Sequence, residues 1–303
     1  MILGHSSLPT WIQNWIYSFH MPFFFFISGV LTKAFGNINE KKTVCCAIDK
    51  AFLIGKSKAL LLPFLIYSAI NLLVYPLYGK EALITYSKHV LLNGWEGVAL
   101  WFIPVFFVAV IVTRLCSVSR GIAIISAVVF AILGTSLDYY DISLPWTMST
   151  VPFACVYMLL GFLLKNIVFK MSEKKISLFV LISIIGLIVS FVLSQRYRLD
   201  MASNKVLPAI PLLIAALSGI FFLLAMSMLL EKLKLISFGT SILKAIGKHT
   251  YELLAFSQAI ILILNAKFHL SIVIKYLILV VALWGICIIR DKLKTLNLCN
   301  RKI

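Results

Sequence analysis

One candidate for chemistry in this chain is a histidine inside an otherwise apolar run. The run reads Phe19-His20-Met21-Pro22-Phe23-Phe24-Phe25-Phe26-Ile27-Ser28-Gly29. Near neutral pH an imidazole can act as a general base, or as a nucleophile that carries an acyl group. Polar side chains and helix-breaking residues are costly at a lipid-facing position, because lipid offers no hydrogen-bond partners. The run therefore indicates a helix with one face turned toward a protein-lined cavity, and Gly29 in this run allows another helix to approach closely.

Two lysines form a second candidate group. Lys56 and Lys58 stand just before an apolar span that opens with Leu60-Leu61-Leu62-Pro63-Phe64. An ammonium group binds phosphate as a point charge, although it lacks the bidentate geometry of arginine. The lysines are therefore candidates for binding a phosphate-bearing substrate. The alternative is that they only set the orientation of the span in the membrane.

A third polar group lies between two later spans. It contains Arg196, Arg198 and, a few residues on, Asn204 within Ser203-Asn204-Lys205. Guanidinium groups fit carboxylates and phosphates, so this cluster could bind an anionic sugar or a phosphorylated lipid carrier. Contact with lipid headgroups is the alternative.

The composition places these groups in a membrane protein. Of the 303 residues, 61% are hydrophobic and 13% are charged, and the mean hydropathy is +1.02. Soluble domains are nearer half apolar.

Runs long enough for a helical span of about 20 residues occur near 15–34, 59–78, 98–116, 121–137, 147–168, 176–195, 206–230, 250–266 and 270–289. The runs are too long for barrel strands of about ten residues. The sequence predicts an all-α, polytopic transmembrane bundle of about nine full spans, with residues 1–303 as a single domain.

The amino terminus departs from this pattern. It reads Met-Ile-Leu-Gly-His-Ser-Ser-Leu before Pro9. This stretch is too short to cross a bilayer, and no basic segment precedes an apolar core as in a signal peptide. We expect it to be the outer end of a first helix whose beginning is missing from the chain.

The positive charge is unevenly distributed along the chain. The net charge is +17, and if the run 15–34 travels inward and later spans alternate, 21 of the 28 Lys and Arg lie on one side and 7 on the other. The positive-inside rule predicts such a bias, so the basicity indicates orientation, with a cytoplasmic carboxyl terminus, and not a nucleic-acid partner. No His, Asp and Glu cluster has metal-ligand spacing, so we expect no metal and no permanently bound cofactor.

Several segments resemble the acyltransferase 3 family of integral membrane O-acyltransferases that modify cell-surface glycans. The segment 19–31 carries the clearest resemblance, and further similar segments are Leu60-Leu61-Leu62-Pro63-Phe64, Trp101-Phe102-Ile103-Pro104 and Leu160-Gly161-Phe162-Leu163-Leu164-Lys165. The resemblance implies a multi-pass protein of the bacterial inner membrane. It also implies transfer of an acyl group, in the first place acetyl from acetyl-CoA, to a hydroxyl of a polysaccharide or lipid-linked sugar.

The resemblance and the side-chain chemistry together predict roles for individual residues. The resemblance matches His5, in a Gly-His-Ser segment, to the family's catalytic histidine. His20 is a second candidate catalytic residue by its chemistry, and its alternative role is a hydrogen bond that positions neighbouring helices. Acetyl-CoA would be a co-substrate whose phosphates meet Lys56 and Lys58. The residues expected to bind the acceptor are Arg196, Arg198, Asn204 and Trp101.

Two alternatives belong to other functional classes. A transporter or flippase for a glycan precursor would share the bundle and the outer arginines. It would be distinguished by inverted repeats or paired acidic residues within spans, which the sequence does not display. The other alternative is an inactive scaffold or a gene fragment, because the arginine that family members carry in the first helix would fall before Met1.

The charge distribution predicts the topology. Reporter fusions after Lys42 and after Arg301 should both show a cytoplasmic location, because the more basic loops stay inside. Paired alkaline phosphatase and fluorescent-protein fusions provide the measurement, with a fusion after Lys88 as the extracytoplasmic control. Phosphatase activity at Lys42 or Arg301 would contradict the orientation.

Overall fold

The computed structural model describes residues 8–32, 50–93, 99–171, 176–233, 244, 246–268 and 271–299. Within these ranges the regular structure is helical, apart from one isolated antiparallel bridge between Asp200 and Lys205. The all-α class expected from the hydropathy pattern is confirmed.

Eleven α-helices follow one another along the described chain. They are α1 (Thr10–Val30), α2 (Lys50–Lys56), α3 (Leu62–Val74), α4 (Leu83–Asn93), α5 (Phe102–Cys116), α6 (Arg120–Tyr139), α7 (Val151–Met171), α8 (Ile176–Arg196), α9 (Ala209–Leu233), α10 (Thr250–Lys267) and α11 (Ile272–Cys299). A π-helix, Ser57–Leu61, joins α2 to α3 without a break. Short 3-10 turns, Ala99–Trp101 and Pro145–Thr150, lead into α5 and α7.

Seven of the described helical segments are long and apolar enough to cross a membrane. They are Lys50–Leu77, Ala99–Cys116, Arg120–Tyr139, Pro145–Met171, Ser177–Arg196, Ala209–Lys232 and Val273–Lys292. The run predicted at 250–266 is helical as part of α10, and the run predicted at 15–34 is helical as far as Val30 in α1, but neither is among the seven. Polar side chains such as Gln13, His20 and Glu252 reduce their apolar character. The predicted number of nine full spans is therefore not confirmed.

Helix α7 lies at the centre of the described bundle. Helices α1, α5 and α6 pack against it, while α8 and α9 form an extended pair that also contacts α1. Most of α7 is buried, as expected for a helix that is apolar all round. Helices α6 and α11 instead expose large aliphatic side chains, among them Ile125 and Val281, which a membrane would cover with lipid.

Helices α1 and α7 cross with their backbones in close contact at a glycine on each helix. A Cβ atom added to Gly29 would collide with the carbonyl of Met158, and one added to Gly161 would collide with the carbonyl of Phe26. Any side chain at these positions would hold the helices apart, so glycine is needed for the approach. The close approach expected at Gly29 is confirmed, and its counterpart is Gly161.

The consecutive phenylalanines of α1 pack against different neighbouring helices. Phe25 lies 5.0 Å from Phe102 of α5 between ring centroids, and Phe26 lies 6.1 Å from Phe221 of α9. Both Phe25 and Phe26 are fully buried. Successive residues point about 100° apart around a helix, so a run of one aromatic type suits a helix surrounded by protein. This packing holds α1, and with it His20, inside the bundle.

Gly161 should not tolerate a single added methyl group. The Gly161→Ala change places Cβ against a backbone atom of α1, so we expect a loss of about 1–3 kcal/mol in the free energy of unfolding. The apparent Tm of the purified protein in detergent is the measurement. The matched control is Gly285→Ala on α11, where an added Cβ meets nothing within 4 Å. The same Tm for the wild type and both variants would contradict the crossing.

Candidate functional site

His20 lies in the buried middle of α1. Its side chain is 8% exposed, and its Nδ1 lies 2.9 Å from the carbonyl oxygen of Ile16 in the preceding turn. A carbonyl only accepts hydrogen bonds, so Nδ1 must be the donor. In the neutral ring the lone pair is then on Nε2. Nε2 is therefore the nitrogen that can take a proton from a hydroxyl or attack an acyl carbon.

Tyr17 contacts both His20 and a second candidate residue, Arg198. The Tyr17 and His20 rings meet edge to face with centroids 5.0 Å apart, as expected for residues three apart on one helix face. The guanidinium carbon of Arg198 lies 5.4 Å from the centroid of the Tyr17 ring. The structure thus brings Arg198 and His20 to one face of α1. Tyr17 was not predicted from the sequence, although its spacing from His20 was a usable signal.

The two arginines of the polar cluster differ in what they reach. Both are exposed, but the guanidinium of Arg196 lies 5.7 Å from the ring of Tyr197, its own neighbour in the chain. Only Arg198 of this pair extends to the aromatic face of α1. The two arginines therefore differ in position: Arg198 lies against the aromatic ring that neighbours His20, and Arg196 lies against Tyr197.

Asn204 is a buried residue in the turn that follows these arginines along the chain. Its side chain is 3% exposed, and its backbone has φ of 51°, a left-handed value that asparagine tolerates better than most residues. Both amide atoms, Oδ1 and Nδ2, are buried and lack a hydrogen-bond partner in the described part of the chain. A buried amide in this state is unusual, since most such groups are paired. It can donate to and accept from a sugar hydroxyl.

The turn that carries Asn204 is held by Asp138 at the end of α6. One carboxylate oxygen of Asp138 accepts the backbone N–H groups of Val206 and Leu207 at 2.7 and 2.9 Å. The other oxygen lies 3.3 Å from the ammonium of Lys205, which also donates to Asp141 at 2.8 Å. The two loops, 140–150 and 197–208, meet here and are called the loop end of the bundle.

The exposed ion pair at the loop end, Lys205 with Asp141, shifts the pKa values of its two members in opposite directions. The hydrogen bond from Lys205 lowers the pKa of the Asp141 carboxyl, and the same bond, followed by that to Asp138, raises the pKa of Lys205. Both groups therefore stay charged across the neutral range. Any stabilisation from Asp141 is present above the ordinary pKa of an aspartate and is lost as the pH falls through its lowered value.

Backbone strain in the described chain is also concentrated at the loop end. The non-glycine residues with left-handed φ are Asp141, Trp146, Thr147 and Asn204. Thr147 is β-branched and has φ of 59°, a conformation that costs energy unless the surroundings enforce it. Such strain is more frequent at binding sites than elsewhere. Trp101, expected to bind the acceptor, is half-buried and precedes α5 at the same end.

The opposite end of the bundle carries Lys56 and Lys58, the two lysines predicted to bind a phosphate-bearing substrate. Lys56 is half-buried and Lys58 is exposed, at the junction of α2 and the π-helix. The guanidinium of Arg114, from the end of α5, lies 3.9 Å over the ring of Phe52, and the ammonium of Lys56 lies 5.8 Å from the same ring. Lys56, Lys58 and Arg114 define the basic end. Arg114 was missed by sequence reasoning, because only helix packing brings it next to α2.

A buried carboxylate near the basic end was also missed. Glu252 on α10 is 1% exposed and forms an ion pair with Arg290 of α11. The hydroxyl of Tyr67 on α3 donates to the same carboxylate at 3.2 Å. The three groups come from three helices, so no local sequence pattern indicates that they meet.

Together these features define a multi-pass membrane protein with a buried histidine between two charged ends. The chain matches the acyltransferase domain of the acyltransferase 3 family over residues 1–291, and it belongs to that family. The resemblance inferred from the sequence is confirmed, and the family is one of membrane acyltransferases. No curated protein and no solved structure matches the chain.

Two further sequence-based expectations concern His5 and a bound metal. His5 lies in residues 1–7, outside the described part of the chain. Among the described residues no group of His, Cys, Asp and Glu is arranged to hold a metal ion.

Asp138 should matter more for stability than its neighbour Asp141. The Asp138→Ala change removes the charged acceptor of the Val206 and Leu207 backbone N–H groups, so we expect a loss of roughly 1–3 kcal/mol. The Asp138 side chain is 7% exposed and that of Asp141 is 88% exposed, so Asp141→Ala is the matched control and should change little. Thermal unfolding of the purified variants is the measurement. A larger effect of Asp141→Ala would contradict the anchoring role of Asp138.

Proposed function

We propose that this acyltransferase moves an acetyl group from acetyl-CoA to a hydroxyl of a cell-surface glycan or lipid-linked sugar. Family membership favours acyl transfer over the transporter alternative. The observation that carries the proposal is the hydrogen bond from His20 Nδ1 to Ile16, which makes Nε2 the basic nitrogen of a buried imidazole. That imidazole shares one face of α1 with Tyr17, which is contacted by Arg198.

The proposed reaction is the displacement of a thiol by an alcohol. The acceptor hydroxyl gives its proton to a histidine nitrogen while its oxygen attacks the thioester carbon. The new C–O bond forms and the C–S bond breaks, and the sulfur leaves with the bonding pair and takes up a proton, which yields an ester and free coenzyme A. His5 and His20 are the proposed catalytic residues. A histidine that first accepts the acyl group and then passes it on is the alternative route.

The loop end is proposed to bind the acceptor. The buried amide of Asn204 can exchange hydrogen bonds with sugar hydroxyls. The exposed guanidinium groups of Arg196 and Arg198 can pair with a phosphate or carboxylate of a lipid carrier or an acidic sugar. Trp101 would add an aromatic surface at this end.

The basic end is proposed to bind the donor. Lys56 and Lys58 would meet the coenzyme A phosphates, and Arg114 adds a guanidinium close to Lys56 through their shared contact with Phe52. The division of 21 basic residues against 7 supports a cytoplasmic basic end in a bacterial inner membrane, with the carboxyl terminus inside. In this orientation cytosolic acetyl-CoA and an external acceptor approach from opposite ends.

The catalytic assignment is tested by separate His5→Ala and His20→Ala variants. Loss of a general base typically lowers the rate by on the order of 10²–10⁴, so each catalytic histidine should show a drop of this size while acetyl-CoA still binds. The measurement is transfer of label from acetyl-CoA into lipid-linked or polymeric sugar in purified membranes.

The matched control is His269→Ala, which removes a histidine to which the proposal gives no role. It should retain wild-type transfer and protein level. Full turnover by both the His5 and His20 variants would refute the proposed mechanism. An inactive wild type toward every glycan acceptor would refute the proposed substrate class.

A further inference from the structure

Helices α3 and α10 share a polar interface inside the bundle, called here the α3/α10 seam. Its members are Ser68 and Asn71 on α3, with Glu252 on α10 and His249 just before it. The Tyr67 hydroxyl donates to Glu252 at 3.2 Å, and one turn further the Asn71 amide donates to the carbonyl of Ala255 at 3.0 Å. The two helices therefore lie side by side over at least this length.

The seam contains polar atoms that lack partners in the described structure. Ser68 Oγ, Asn71 Oδ1, Glu252 Oε2 and His249 Nδ1 are buried without a hydrogen bond. Ser68 is 8% exposed, and Asn71 and Glu252 are each 1% exposed. Unsatisfied polar atoms are costly inside a membrane protein, because lipid cannot solvate them. Several in one interface indicate that something polar occupies it in the working protein.

The geometry around Glu252 indicates where such a group would lie. One oxygen of the carboxylate is used by Tyr67 and Arg290, while the other is 4.0 Å from His249 Nδ1. His249 Nε2 lies 3.3 Å from Asp291. A separation of 4.0 Å is too long for a direct hydrogen bond, but it suits a polar group of a ligand that contacts both atoms.

The seam begins at the basic end and continues into the bundle. Lys58 and Ser68 belong to one unbroken helical stretch, so Ser68 lies roughly 15 Å deeper along the axis. The hydroxyl of Tyr251 donates to the carbonyl of Leu60 in the π-helix at 2.7 Å, which ties the start of α10 to the lysine-bearing segment. A ligand whose phosphates contact Lys56 and Lys58 could extend directly along the seam.

We infer that the α3/α10 seam binds the pantetheine arm of the acyl-CoA donor, an inference that rests on the proposed function and adds the residues that hold the arm. The arm is a narrow chain that carries amides and a hydroxyl at intervals. The Ser68 hydroxyl donates to an amide carbonyl, while Asn71 Oδ1 and Glu252 Oε2 accept from N–H or O–H groups of the arm. With the arm bound, these three side chains have hydrogen-bond partners for the atoms that lack one in the structure.

Ser68→Ala tests this inference with little risk to the fold, because the hydroxyl that it removes makes no hydrogen bond. Purified full-length protein in nanodiscs is titrated with acetyl-CoA and, separately, with adenosine 3′,5′-bisphosphate, which has the adenosine and two of the three phosphates of the donor and lacks the arm. Loss of one neutral hydrogen bond should raise the Kd for acetyl-CoA roughly threefold to tenfold. The Kd for adenosine bisphosphate should not change, and Ser68→Cys should act in the same direction as Ser68→Ala.

The matched control is Ser183→Ala on α8, which removes another buried and unbonded serine hydroxyl, 5% exposed, away from the seam. It should bind both ligands as the wild type does. Equal acetyl-CoA affinity of Ser68→Ala and the wild type would overturn the inference and leave water as the occupant of the seam. Equal weakening for both ligands would also overturn it. A wild type that binds neither ligand would overturn the proposed donor itself.

Discussion

The crossing of α1 over α7 at Gly29 and Gly161 is the contact on which the arrangement of the rest depends. Helix α1 carries polar residues, among them Ser18 and His20, that lipid could not solvate. The glycine contact brings its backbone against that of α7, so that protein surrounds it. Ser18 then lies 3.3 Å from Ser190 of α8 between hydroxyl oxygens. A histidine can be kept inside the bundle only because this crossing removes α1 from the lipid.

The charged groups at the two ends differ in how strongly they are buried. At the loop end the Lys205 and Asp141 pair is exposed and contributes little to stability. Near the basic end Glu252 and Arg290 form a pair in which the carboxylate is almost fully buried. Removing two charges from water is costly, and such a pair is not in itself a source of stability. Its effect is to hold α10 and α11 in one arrangement, with Tyr67 of α3 as a third contact.

An acyl donor and an acceptor that approach from opposite sides of a membrane require polar positions at both ends of a bundle and a reactive group between them. The described chain has cations at the basic end and an unpaired amide, Asn204, at the loop end. His20 lies between them on a helix packed inside the protein. The unpaired polar atoms of Ser68 and Asn71 lie on the side of the bundle that continues from the lysines. This separation of polar groups fits the proposed reaction.

The sequence by itself determined the helical class, the positions of the long helices and the burial of His20, because hydropathy and the cost of polar groups in lipid are local properties. It also indicated the close approach at Gly29, though not its partner. It predicted about nine full spans, and seven of the described helical segments are apolar enough to cross a membrane, since α1 and α10 combine apolar length with polar side chains.

Only the tertiary structure decided which distant residues meet. Arg198 reaches Tyr17 and Arg196 does not, although the two arginines are separated by one residue. Arg114 lies over Phe52, and Glu252 pairs with Arg290. Each of these contacts joins segments that are far apart in the sequence: Arg198 lies in the loop after α8, and the other two contacts join pairs of helices. A periodic pattern within one helix fixes which face is buried, but it carries no information about which side chain of another helix will face it.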